Sequence, residues 1–96
     1  MSQLPISEKC YVYLACCSNG TFYVGCTKDV VKRIAAHNAG RGGQYTRTNR
    51  PLSLVTAWPF NSRAEAFQAE RELKRLPHER KYALAQAAES LKGENQ

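Results

Sequence analysis

The feature that most narrows the fold is Ser18-Asn19-Gly20, set between two short runs of aromatic and β-branched residues. Asn-Gly tolerates positive φ and is the strongest short hairpin signal. Before it, residues 10–17 alternate as a strand, with Tyr11, Tyr13 and Ala15 on one face and Val12, Leu14 and Cys16 on the other. After it, Phe22 to Cys26 reads as the second strand. The loop length then decides which side chains share a face. A strict two-residue Asn19-Gly20 turn pairs Cys17 with Phe22 and places Tyr13 and Tyr23 on opposite faces. An odd-length loop or a bulge places them on the same face.

The remaining elements follow from periodicity and punctuation. Asp29 is a good N-cap for a helix running to about Asn38, with Gly40 as its stop. On that helix Val30, Arg33, Ile34 and His37 occupy one arc of about 100°. Arg33 and His37 are one turn apart and are expected to rim the sheet. Residues 40–51 read as a loop carrying Arg41, Tyr45, Arg47 and Arg50. Leu52 to Trp58 is the third strand, with Leu52, Leu54 and Trp58 on one face, and Pro59 is expected to end it. Ser62-Arg63-Ala64-Glu65 is a capping box that opens a second helix running to about Leu76, before Pro77. Its apolar stripe is Ala66, Phe67, Ala69, Leu73 and Leu76, with Glu70 projecting from the middle. Glu65, Glu72, Arg71 and Arg75 are expected on its solvated side. A last helix covers about 78–91, with Leu84, Ala88 and Leu91 inward, and residues 92–96 are expected to fray. Residues 1–9 read as a polar lead-in. The order ββαβαα predicts an α+β fold in a single domain over 1–96, with its core over about 9–91. A small three-stranded antiparallel sheet is flanked by three helices.

Composition sets the class of partner. With 96 residues, ~65% of the extended surface is buried on folding, enough for one core. A hydrophobic content of 43% argues against wholesale disorder. No apolar run is long enough for a bilayer, and MSQLPISEK has no apolar segment behind a basic one. The expectation is therefore a cytoplasmic protein without a membrane partner. Cys10, Cys16, Cys17 and Cys26 then read as packing thiols, because their spacing lacks the paired pattern of a zinc site. Fourteen basic against eight acidic residues leave a net charge of +6, which suits a polyanion such as nucleic acid.

Several side chains carry both an ordinary reading and a chemical one. A carboxylate in an apolar stripe needs a partner, so Glu70 is either paired with Arg33 or Lys74 or holds a cation. A lone carboxylate suits Mg²⁺, which keeps most of its waters and takes phosphate oxygens. Arg33 is either a surface arginine over the sheet edge or a fork for phosphate. His37 is either satisfied by the helix end or a proton carrier near neutral pH. Tyr13 and Tyr23 are either packing aromatics or phenols beside a phosphate, and cations such as Arg33 lower the pKa of a phenol. Arg41, Arg47, Arg50 and Tyr45 suit phosphate contact and base stacking, against the plainer reading of a solvated loop. No Walker loop, dinucleotide fingerprint, His-Glu-x-x-His or nucleophile elbow is present.

Taken in order, these residues resemble the GIY-YIG nuclease superfamily. Tyr11-Val12-Tyr13 is similar to its first motif, with Tyr11 in the place of Gly, and Tyr23-Val24-Gly25 to its second. Arg33, His37 and Glu70 fall where that family carries its Arg, His and metal-binding Glu. Gln44-Tyr45-Thr46-Arg47 and Arg50-Pro51-Leu52 resemble the small standalone bacterial members. The resemblance implies a metal-dependent endonuclease that hydrolyses phosphodiester bonds in DNA, or in RNA. Its catalytic residues are Tyr13, Tyr23, Arg33, His37 and Glu70, with Mg²⁺ or Mn²⁺ at Glu70. It also implies targeting through the basic loop or a separate targeting protein. The competing reading is a binding module of the same fold without turnover, which the Tyr11 substitution favours. An Arg-Gly RNA-binding loop rests on Arg41-Gly42-Gly43 alone.

Overall fold

The computed structural model describes residues 9–94, with the side chains of 45–46 and 89–94 outside the description. The polar lead-in over 1–8, the side chains of Tyr45 and Leu91, and residues 95–96 therefore lie outside it. Strands β1 (Cys10–Cys16) and β2 (Phe22–Thr27) form the expected hairpin, and β3 (Ser53–Phe60) joins the other side of β1. All pairings are antiparallel and the strand order is β2-β1-β3.

The hairpin has the odd-length loop. The Cys17 N–H donates to Thr21 O at 2.8 Å and the Gly20 N–H to Cys17 O at 3.0 Å, leaving Ser18-Asn19-Gly20 as a three-residue loop. Gly20 takes the positive φ of 89°, a conformation that costs glycine little. Asn19 instead serves as an acceptor, for the Thr21 N–H at 3.2 Å and the Thr21 hydroxyl at 2.8 Å. The resulting register pairs Tyr13 with Gly25 and Ala15 with Tyr23, so Tyr13 and Tyr23 share a face.

Helices cover both faces of the sheet. On one face, α1 (Val30–Ala36) packs Val30 and Ile34 against Tyr13, Ala15, Cys17 and Leu52. On the other, α3 (Arg63–Arg75) and α4 (His78–Glu94) place Ala66, Ala69, Leu73 and Leu84 over Cys10, Val12, Leu14 and Val24. Between α1 and β3 the chain makes a π-type turn over His37–Arg41 and a short helix α2 (Gln44–Thr48).

Several expectations are corrected. The first helix is not among them: Gly40, at φ 88°, breaks the helical run just past Asn38, as expected of a stop. The loop over 40–51 contains α2, whose Arg47 N–H donates to Gly43 O at 2.9 Å. Pro59 does not end β3 but pairs with Tyr11, since an edge strand has only one neighbour to serve. Leu52, Leu54 and Trp58 do not share a face. The register shifts between Leu14 and Ala15, whose partners are Thr56 and Leu54, leaving Val55 as a bulge residue. Leu52 therefore packs with α1, and Trp58 packs with α3 and α4. Phe67 is not core: it is 48% exposed, and Ala66 does the packing. The last helix continues through Glu94, so 92–94 are helical instead of frayed.

The four cysteines are free thiols on or beside β1 and β2. Cys10 and Cys26 approach with Sγ···Sγ 3.1 Å, and burial, then Cys10, pushes the Cys26 thiol up to about 12. That protonated thiol is unreactive at neutral pH, as a packing role requires.

Candidate active site

The site grows from the α1 face of the hairpin. Asp29 fixes where α1 begins, its carboxylate accepting from the Lys32 N–H at 3.1 Å while Thr27 Oγ1 accepts from the Asp29 N–H at 3.2 Å. The helix then presents Ile34 and His37 to the sheet. Tyr13 comes from the central strand, and its ring lies across Gly25 on β2. A Cβ at position 25 would collide with that phenol, so glycine is required there by space.

Three rings meet on this face. Tyr13 Oη and His37 Nε2 share a hydrogen bond of 3.2 Å. Tyr23 stands edge-on to His37, with centroids 5.1 Å apart and an interplanar angle of 69°. Tyr13 and Tyr23 are 6.3 Å apart. His37 does not rim the sheet as expected: it is 0% exposed, and Tyr13 is 1% exposed. The His37 ring lies under the helix end, whereas Arg33, one turn earlier, stays exposed. Arg33 is near enough to act on the Tyr13 phenol. It also borders a recess of about 250 Å³ with Thr27, Asp29, Lys32 and Ala36.

Burial sets the protonation states. It depresses the His37 pKa, and the nearby Arg33 charge lowers it further. His37 is therefore neutral at pH 7, so Nε2 can accept a proton from Tyr13. The Tyr13 pKa is raised, because burial outweighs the influence of Arg33, which favours phenolate. The expectation that cations lower this phenol's pKa is thus corrected for the protein by itself.

Glu70 approaches from the opposite side. It stands on α3, which covers the other face, yet its charge acts on both Tyr13 and Cys26. It does not sit in the middle of the apolar stripe but at the margin, where its carboxylate pairs with Lys74 at 3.2 Å. The Glu70 side chain retains 20% exposure. Among the described residues no three His, Cys, Asp or Glu side chains converge to hold a metal ion. A lone carboxylate such as Glu70 would suit a hydrated Mg²⁺ completed by phosphate oxygens.

The basic segment lies beyond the end of α1. Arg41, Arg47 and Arg50 are exposed. Arg50 crosses Gly40, and its Nη1 donates to Asn38 O at 3.5 Å. Asn38 has a role the residue pattern does not reveal. Its Nδ2 donates to Leu52 O at 3.0 Å, and its Oδ1 accepts from the Leu52 N–H at 2.6 Å. It thereby ties the turn that carries His37 to the start of β3. Gly25 is the other such residue, and its place in the second motif is the signal for it.

Comparison with known proteins shows the family to which this fold belongs. Residues 9–83 match the family model described as the GIY-YIG catalytic domain. A UPF0213 protein of Xanthomonas axonopodis pv. citri is 46% identical over 77 residues, 80% of this chain and 76% of the relative. A UPF0213 protein of Halobacterium salinarum is 45% identical over 74 residues, 77% of this chain and 96% of the relative. The solution structure of the UPF0213 protein BH0048 from Bacillus halodurans superposes with a TM-score of 0.53 at 40% identity, covering 82% of this chain and 84% of that one. The solution structure of EF2693 from E. faecalis gives a TM-score of 0.56 at 32% identity, covering 83% and 85%.

Proposed function

Because the chain belongs to the GIY-YIG catalytic domain family, we propose that it is a divalent-metal-dependent endonuclease cleaving phosphodiester bonds in DNA. The observation that carries this reading is the convergence of Tyr13, Tyr23, Arg33 and His37 on one sheet face, within the electrostatic reach of Glu70. An isolated packing role for these aromatics does not call for a buried neutral histidine hydrogen-bonded to a phenol beside an arginine.

Each side chain has a part. Glu70 would hold Mg²⁺ or Mn²⁺, which would supply Lewis-acid stabilisation of developing negative charge. Arg33, exposed at the rim, offsets charge building on the phosphoryl oxygens. One phenol takes the proton of the attacking water. Exposure favours Tyr23, which is only half-buried, for contact with that water. Tyr13, buried between Arg33 and His37, then positions the other groups. Neutral His37 accepts or relays the proton. Arg41, Tyr45, Arg47 and Arg50 hold the nucleic-acid backbone.

The Glu70–Lys74 pair and the raised Tyr13 pKa favour the second reading, a binding module without turnover. Plasmid nicking decides between them. Nicking with Mg²⁺ or Mn²⁺, abolished by EDTA and lowered at least 100-fold by Glu70→Ala or Arg33→Ala, is the expected result (on the order of 2.7 kcal/mol or more). Metal-dependent cleavage that survives both substitutions removes the mechanism. Nucleic-acid binding in EDTA with no cleavage under either metal leaves the module.

A further inference from the structure

We infer that the flank of α3 beside Glu70 is a second nucleic-acid contact surface, where Phe67 stacks on an unpaired base and Arg63, Arg71 and Lys74 hold the flanking phosphates. This rests on the nucleic-acid reading above and extends it to the form of the substrate, a strand with at least one unstacked base.

Helix α3 is electrically divided. At about 100° per residue, Arg63, Phe67, Glu70, Arg71 and Lys74 fall along one flank, and Glu65 and Glu72 along the other. The surroundings show which way each flank points. Glu72 lines a cavity of about 330 Å³ with Trp58, Phe60 and Leu84, toward β3 and α4. Arg63 and Glu70 both act electrostatically on Cys26, in β2. The cationic flank therefore faces the β2 margin, the side on which Glu70 also influences Tyr13.

A single exposed phenylalanine is ordinary. Phe67 differs in its setting: 48% exposed, one turn from Glu70 and flanked by Arg63 and Arg71 one turn on either side. Cations along a helix with an aromatic between them match the way single strands are held, by backbone charge and base stacking. Even with Lys74 paired to Glu70, Arg63 and Arg71 leave the flank net positive, which favours a polyanion over an apolar protein partner. A base-paired duplex hides its π-faces, so Phe67 has nothing to stack on until a base is free.

The test is binding in EDTA, where cleavage plays no part. A labelled 12-mer oligothymidylate and a blunt duplex of equal length are titrated by fluorescence anisotropy. Phe67→Ala is expected to weaken single-strand binding roughly tenfold and duplex binding less than twofold. Lys28→Ala, which removes one charge beside Val31 and Leu54 on the other helical layer, is expected to change either by less than twofold. Phe67→Trp is expected to keep the affinity and to add fluorescence quenching on single-strand binding, beyond any from Trp58. Unchanged single-strand affinity in Phe67→Ala, an equal loss for both forms, or no added quenching in Phe67→Trp overturns the proposal. A protein that shows the expected binding pattern but cuts nothing refutes the nuclease reading and leaves this surface standing.

Discussion

Burial of His37 changes what its imidazole can do. A histidine at an exposed helix end is a titrating surface charge, whereas this ring is sealed beneath α1 with its Nε2 on Tyr13. Its folded pKa lies below the ordinary value of about 6.5. As pH falls, the unfolded chain takes up the proton first. This stabilising contribution is therefore complete above about pH 6.5 and is lost as pH falls through the folded value. The melting temperature, followed by circular dichroism from pH 7.5 to 5, is expected to fall, and His37→Gln is expected to flatten part of that fall. Residue spacing was enough to nominate His37, because Arg33 and His37 are one turn apart. Its burial was not legible, since a 3.6-residue period assigns a side chain to an arc of the helix but not the depth to which the sheet covers it.

At the scale of elements, the site depends on how segments are tied together. The hairpin loop brings Tyr13 and Tyr23 to one face, and Asn38 ties the turn carrying His37 to β3. Two hydrogen bonds to the Leu52 backbone make Asn38 a surrogate strand residue. Asn38→Ala leaves a largely buried carbonyl and N–H without those partners. The expected loss is about 1–3 kcal/mol in urea denaturation, together with slower cleavage as His37 shifts. The Asn-Gly signal correctly placed the turn, yet either loop length was compatible with it. The bulge at Val55 had no signal, because alternation along β3 reads as unbroken in the residues themselves. Phe67 was assigned to the core by the same kind of pattern, but Ala66 and Leu73 already fill the contact with β1 and β2.

At the scale of the molecule, the Arg41–Arg50 segment and the α3 flank hold much of the net charge of +6, and Lys28, Lys32 and Arg33 around the start of α1 hold more of it. Binding to a single-stranded oligonucleotide is accordingly expected to weaken steeply with salt. Replacing Arg41, Arg47 and Arg50 together by Ala is expected to reduce the slope of log K against log salt by about 2, from about 0.7 per phosphate contact. An unchanged slope in anisotropy titrations places the phosphate contacts elsewhere. Among the described residues no helix is long and apolar enough to cross a membrane.

The amino-acid order alone determined the succession of strands and helices apart from α2, the caps at Asp29 and Ser62, the cationic balance and the family's set of polar residues. These are local properties, written in periodicity, turn chemistry and side-chain type. Only the tertiary structure decided which of those residues meet. It put Tyr13 on His37, left Arg33 at the rim, paired Glu70 with Lys74 and turned Phe67 outward. The physical reason is that periodicity assigns a side chain to a face. Loop length, a single bulge and the volume of neighbouring side chains determine what that face encounters.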